Sequence, residues 1–353
     1  MKKIFLIGIS IGFSVLAMSQ DFTFSQFYEM PLLRNPALAG ISNADVRVNG
    51  AYRSQWGSVT VPFQTQALSM EIRFPIGNAN DFITTGMQIT NDVAGDSRLS
   101  RIQLLPVFTF HKSLNDDYSY LTASVMGGLI QSRFDPSKLT FDDQFQNGSF
   151  DPGNSTQQVF TNTSLSYGDL SAGLAFSTVT GDDIKMYVGV AGYHFLKSKV
   201  SFYNTENTLL KRRYVINAGL NLPTGYNDRV YLYGDYIIQG GNRQFLAGAL
   251  YKHNLVPDED EDDELNDLSL SMGATYRWAD ALIPVVKLDI RKFYIGVSYD
   301  VNLSKLSAAS QYRGGMEITG GFKTNLNVRG NAGGGGARGN RRGGNESYKC
   351  PYF

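Results

Sequence analysis

The 353-residue chain carries 32 basic and 32 acidic side chains and is rich in Tyr (20), Phe (22) and Gly (37). That balance excludes a globally basic nucleic-acid binder, and a single cysteine, Cys350, excludes an internal disulfide scaffold. Beyond the N-terminus no apolar run approaches the roughly 18 residues that a membrane-spanning helix needs.

Residues 1–19 read as a secretory signal peptide. Met1-Lys2-Lys3 precedes an apolar run from Ile4 to Ala17, and Ala17-Met18-Ser19 offers a small-x-small cleavage site before Gln20. Cleavage leaves 30 basic against 32 acidic residues. No cysteine follows the apolar run, so no lipoprotein anchor is expected.

Residues 20–42 lack clean alternation. Within them Asn35-Pro36 suits a helix N-cap followed by proline at the first helical position. The segment is expected to be periplasmic. Either it packs against or into the domain that follows, or it is a simple docking segment.

From 43 to 326 the chain alternates. Lys292 to Asn302 carries the pattern most plainly. Phe293, Ile295, Val297, Tyr299 and Val301 fall on one face of a strand, and Lys292, Tyr294, Gly296, Ser298, Asp300 and Asn302 on the other. Eleven residues suffice to cross a bilayer as a tilted strand, and aromatic residues flank the apolar face where a girdle would lie. Similar strands are predicted at 46–56, 64–75, 81–91, 100–113, 117–132, 169–179, 184–195, 211–222, 229–239, 243–253, 267–278, 281–291 and 313–324, which makes 14 with 292–302. In the first, Arg47, Asn49, Arg53 and Gln55 share a face. An outward Arg at mid-depth costs about 2–4 kcal/mol in lipid, so this face should line a lumen. In a small soluble barrel the apolar face would instead fill the core. Behind a signal peptide, the expected fold is an all-β transmembrane antiparallel barrel of about 14 strands. Its longest connection, about 133–168, faces outside if both termini are periplasmic.

Between Gly330 and Gly344 eight of 15 residues are Gly, with Arg338, Arg341 and Arg342 interspersed. Residues 327–347 therefore read as a flexible linker, and 348–353 as a compact docking peptide. The alternative is that this terminus folds back and plugs its own barrel.

The residues supply no catalytic, cofactor or metal constellation, and no enzymatic activity is expected. His111, His194 and His253 are far apart, and no nucleophile motif surrounds Cys350 or any Ser. The acidic run Asp258 to Asp263 has Asp263 where a calcium loop needs Gly, so it reads as a solvated turn. The Gly/Arg tail is like an RNA-binding segment in composition only, and no nucleic acid is expected as a partner.

Several stretches together resemble one family. Ser25-Gln26-Phe27-Tyr28 with Asn35-Pro36-Ala37-Leu38-Ala39-Gly40, then Tyr52-Arg53-Ser54-Gln55-Trp56, are similar to N-terminal signatures of the PorP/SprF outer-membrane proteins of Bacteroidetes. Gly296 to Asn302 with Tyr299 and Asp300, and Gly314-Gly315-Met316-Glu317-Ile318, resemble its last two strands. Lys349-Cys350-Pro351-Tyr352-Phe353 is similar to its Cys-Pro-x-Phe terminus. The resemblance implies a component of the type IX secretion and gliding apparatus in the outer membrane. Its partners would be outer-membrane lipid, other components of that system, and a secreted SprB-like adhesin with a type B C-terminal domain. Tyr348, Cys350, Pro351, Tyr352 and Phe353 are the candidate partner-binding residues. A porin-like channel for small solutes is the rival reading.

Overall fold

The computed structural model describes residues 21–326 apart from 58–60, 78–79, 115–117, 147, 152, 182, 203–207, 226–227, 256–267 and 306. The acidic run, the Gly/Arg segment and the five candidate docking residues at the C-terminus lie outside the described residues.

Fourteen strands among the described residues close into one antiparallel barrel. They are β1 (Val46–Gln55), β2 (Phe63–Ile76), β3 (Asp81–Ala94), β4 (Leu99–Leu114), β5 (Ser119–Arg133), β8 (Ser164–Val179), β9 (Lys185–Tyr193), β10 (Arg213–Thr224), β11 (Asp228–Gln239), β12 (Asn242–Asn254), β13 (Leu268–Arg277), β14 (Ala281–Ile290), β15 (Phe293–Asn302) and β16 (Arg313–Thr324). The loop between β5 and β8 holds a small hairpin, β6 (Phe145–Gln146) with β7 (Ser149–Phe150), which alternation over so few residues does not reveal. Each wall strand pairs with its sequence neighbour, and β1 closes on β16 from Val46↔Thr324 to Gln55↔Gly315. Closure leaves no sheet edge, which is what a strand-built wall needs where water is absent.

The wall strands fall where alternation places them, within a few residues. The clearest departure is at β8, and β3 runs on to Ala94. β8 begins at Ser164 because its first residues pair with β5, from Arg133↔Ser164 to Gly128↔Asp169. β9 ends at Tyr193 because His194 adopts a positive φ and turns inward.

Side chains sort by parity. On β1, Arg47, Asn49, Ala51 and Arg53 are buried inside. On β15, Tyr294, Ser298, Asp300 and Asn302 are buried inside, while Phe293, Ile295, Val297 and Tyr299 are exposed outside. The outer face is thus apolar and the inner face polar, as in a barrel surrounded by lipid.

Both termini of the wall lie at one end, where Asp45 N–H donates to Asn325 Oδ1 (3.2 Å) and Leu326 N–H to Asp45 Oδ2 (3.0 Å). The long connection between β5 and β8 lies at the other, the loop end.

Of the placements expected for residues 20–42, packing into the domain that follows is the one found: residues 21–42 lie inside the barrel. Asp21 sits at the loop end against Gln239 and Arg213, the last residue of β11 and the first of β10. The chain then runs through three short helical turns, Phe27–Glu29, Pro31–Arg34 and Pro36–Leu38, and reaches β1 at the opposite end. The physical reason is complementarity. Phe27, Leu32 and Ala39 pack with Leu105, Val107, Met126, Val215, Ile237 and Leu246 of the inner wall into one buried cluster. An irregular segment can lie at membrane depth when protein surrounds it and its backbone groups find partners.

Candidate functional site

The lumen is where separated motifs converge. Its inner wall carries ionisable side chains that would be costly to bury alone, and the N-terminal segment supplies partners for many of them.

At the loop end, Asp21 accepts from Arg101 Nη1 (3.0 Å) and contacts His194 Nε2 (2.6 Å), whose Nδ1 lies 3.0 Å from Asp169. Burial works against the charged form of Asp21, but Arg101, His194 and Arg213 hold its carboxyl far below the usual carboxylate range. Burial would likewise lower the His194 imidazole, yet the two flanking carboxylates push it up to about 9.

The next layer lies at the seam where the barrel closes. Arg53 of β1 and Glu317 of β16 are register partners. Glu317 accepts the backbone N–H groups of Ser25 (2.6 Å) and Gln26 (2.7 Å). Asp300 accepts from Ser25 Oγ (2.5 Å), Arg53 Nη2 (2.7 Å) and Arg277 Nη2 (2.7 Å). Arg53 also donates to Thr23 O, and Arg277 to Asp280. The Gln26 amide spans β15 and β16, donating to Ser298 Oγ (3.2 Å) and accepting from Thr319 Oγ1 (2.9 Å). Two guanidinium groups thus face two buried carboxylates, a balanced set that fastens the segment to the seam.

Deeper, Arg34 donates in a fork to Asp235, Nε to Oδ2 at 2.9 Å and Nη2 to Oδ1 at 2.6 Å, with its guanidinium over the Phe27 ring. Asn35 caps the turn at Pro36 by accepting from Ala37 N–H (2.8 Å), and its amide reaches the carbonyls of Leu174 and Val190. Pro36 O accepts from Thr109 Oγ1 (3.3 Å). Gly40 has φ +76° and donates its N–H to Glu71 (2.8 Å), which also accepts from Arg47 (2.8 Å). A Cβ at Gly40 would overlap Thr84 Oγ1, so this close approach requires glycine.

Of the motif residues singled out from sequence, Ser25, Gln26, Arg53 and Asp300 therefore meet in one cluster, and Asn35, Pro36 and Gly40 line the same path. Gln55 and Trp56 sit at the loop-end rim, where Trp56 N–H donates to Gly314 O (2.9 Å) and its ring meets Phe63 edge-on. Tyr299 stands apart on the outer wall. Sequence reasoning did not assign roles to Glu317, Arg277, Asp235, Arg34 or Glu71. Their signal was an isolated charge at an inward position of an otherwise membrane-like strand, or, for Arg34, within an apolar lead-in.

The arrangement fills the lumen, and among the described residues no group of His, Cys, Asp and Glu is placed to hold a metal ion. The three histidines are scattered: His111 lies between Thr84 and Thr122, His194 joins Asp21 to Asp169, and His253 meets Asp228 near the terminus end.

A family model described as type IX secretion system membrane protein PorP/SprF matches residues 17–322. The comparison with curated proteins gave no match. Similar solved structures include CdiB from Acinetobacter baumannii (10% identity, TM-score 0.40, 79% of this chain and 60% of that one). A monoaromatic hydrocarbon channel, CymD, is 8% identical with a TM-score of 0.46, covering 88% of this chain and 95% of that one. BamA from Haemophilus ducreyi lacking POTRA domains 1-3 is 8% identical with a TM-score of 0.37, covering 79% and 70%. The chain spans about 60% of the length of the CdiB chain. These are likenesses of the barrel alone.

Proposed function

The chain belongs to the PorP/SprF family of type IX secretion system membrane proteins, and on that premise we propose that it is a docking component for export and surface attachment of a large secreted adhesin. The adhesin would be SprB-like, with a type B C-terminal domain, and the gliding machinery belongs to the same reading. The protein itself is an outer-membrane barrel: a closed antiparallel wall with an apolar outside can cross a bilayer with its backbone groups paired, and the matched family is one of membrane proteins.

The observation that supports docking over conduction is the filled lumen. Residues 21–42 pack into the inner wall through an apolar cluster and fixed ion pairs. A porin-like channel for small solutes needs open space there, so its reading loses support. A docking role needs a rigid body in the membrane with chain or surface offered to partners.

The segment proposed to meet a periplasmic partner is the C-terminus, Tyr348 with Cys350, Pro351, Tyr352 and Phe353. Tyr352 and Phe353 supply apolar anchors, and Cys350 either packs as a small hydrophobe or joins a partner covalently. The Gly-rich linker 327–347, 21 residues long, would reach roughly 23–27 Å. The test is deletion of residues 348–353. The expected result is a normally inserted, heat-modifiable barrel that loses adhesin display and its periplasmic partner. Display at the parental level would refute the tail as the docking element.

A further inference from the structure

The outer wall is not uniformly convex. Across β4, β5, β8, β9 and β10, one row of outward positions reads Phe108, Val125, Ala172, Gly192 and Tyr214 through successive register pairs. The middle of that row is small and its flanks are large. The result is a depression of about 480 Å³ between Phe108 and Tyr214. A second depression of about 580 Å³ adjoins it over Pro106, Gly127 and Leu170, and the two share Phe108 and Val125. The chain beyond β9 frames both. Phe195 N–H donates to Leu170 O (2.9 Å), the Phe195 ring lies over Gly192, and Leu196 lies over Gly168.

Directly beyond this hollow toward the loop end, the surface becomes cationic. Lys197, two residues past Phe195, is exposed on a turn with φ +49° whose N–H donates to His194 O. Lys199 is exposed on the same connection, and Lys211 and Arg212 are exposed just before Tyr214. Lys197 lies two residues past Phe195, and Lys211 and Arg212 lie three and two before Tyr214, so each stands within about 10 Å of the hollow's rim along the chain. Asp169, whose backbone borders the second depression, turns its carboxylate inward to His194 and does not neutralise them.

We propose that this face is a specific binding site for a phosphorylated glycolipid of the outer leaflet, its acyl chains in the paired hollows and its phosphate on Lys197, Lys211 and Arg212. The charge complementarity selects a phosphate-bearing lipid over a zwitterionic one. The paired hollows favour a lipid with several chains. With the long loops outside, a position near the loop end puts the site in the leaflet where such glycolipids reside. The inference rests on the outer-membrane reading of the barrel and is independent of the adhesin-docking role.

The test is native mass spectrometry of the full-length protein released from phosphatidylcholine nanodiscs doped with either phosphorylated lipid A or phosphatidylglycerol. The expected result is retention of lipid A by the parent protein. In Ala172→Trp, which fills the hollow, retention should fall roughly tenfold, the effect of excluding about two methylenes. In the triple variant Lys197→Gln, Lys211→Gln, Arg212→Gln it should fall roughly a hundredfold, since each surface cation is worth about fivefold. Val286→Trp, on the outward face of β14, should retain lipid A like the parent. Heat-modifiable migration confirms that each variant is folded, and the charge variant keeps the test open if Ala172→Trp does not fold. Equal retention by the parent and both site variants overturns the proposal. Equal retention of phosphatidylglycerol by the parent overturns the assignment to a glycolipid.

Discussion

The backbone N–H of Ser25 donates to Glu317 Oε2 at 2.6 Å, across 292 positions of sequence. Glu317 is also the register partner of Arg53, at the seam where β1 meets β16. The carboxylate that accepts the N-terminal segment therefore belongs to the seam that joins the first and last wall strands. Filling the lumen and closing the wall are coupled through this one side chain.

Arg53→Ala should be among the most disruptive single changes in the chain. It leaves Asp300 with Arg277 but removes the cation 3.8 Å from Glu317 and the donor to Thr23 O. Breaking a buried charge set in this way costs about 3–5 kcal/mol. The expected readout is a lower urea midpoint for the heat-modifiable band. Adding Glu317→Gln should recover part of the loss, because the carboxylate left without its cation is then gone. A midpoint equal to the parent's would contradict the role given to Arg53.

Gly40→Ala should destabilise through two separable effects, the overlap with Thr84 and the positive φ. Thr84→Ala in the same chain should relieve the first and leave the second, which costs roughly 1–2 kcal/mol for a non-glycine residue. Full restoration by the double variant would show that backbone conformation is not limiting at this position.

The wall was legible in sequence, whereas the path and partners of the plug were not, for a physical reason. Period-two alternation records which side of a strand faces lipid, so Val297 and Ser298 announce their faces locally. The path of residues 21–42 depends on distant partners, such as Glu71 for Gly40, 31 positions away, and Thr319 for Gln26, 293 away. Nothing in the spacing of Ser25-Gln26 says that its acceptors lie on β15 and β16. The Asn35-Pro36 cap was readable because its hydrogen bond is local, from Ala37 N–H to Asn35 Oδ1. The isolated inward charges, Glu71, Asp235 and Glu317, were visible as exceptions to the pattern, yet each gains its meaning only from the segment that reaches it.

Facing predicts an asymmetry between neighbours on β15. Val297 points outward and is 45% exposed, whereas Ser298 is buried against Gln26. Val297→Arg places a charge in lipid at mid-depth and should cost about 2–4 kcal/mol of insertion. Val297→Leu should be neutral. Assembly yield in the membrane fraction checks both, and equal yields for Arg and Leu would reverse the assigned face.

The loop-end anchor should respond to alkali. His194 lies beyond the end of β9, with its folded pKa raised to about 9 against an ordinary value near 6.5. A raised pKa means that the contribution is fully present below about pH 6.5 and lost as pH rises through about 9. Asp21 shifts the opposite way and stays ionised across this range. In a Thr23→Cys, Cys350→Ser protein, thiol labelling should therefore accelerate above pH 9 beyond the effect of thiolate formation alone. A His194→Ala version should label fast at all pH values and lack that extra step. Identical pH profiles for the two would remove His194 from the anchor.

This barrel is filled by its own N-terminal segment, which favours the proposed docking role over conduction. Single-channel recording of the purified full-length protein in planar bilayers tests it most directly, with heat-modifiable migration confirming that the sample is folded. A silent baseline is expected in symmetrical salt, because residues 21–42 are packed and ion-paired along the lumen. Stable ohmic steps of porin size from the folded protein would contradict it.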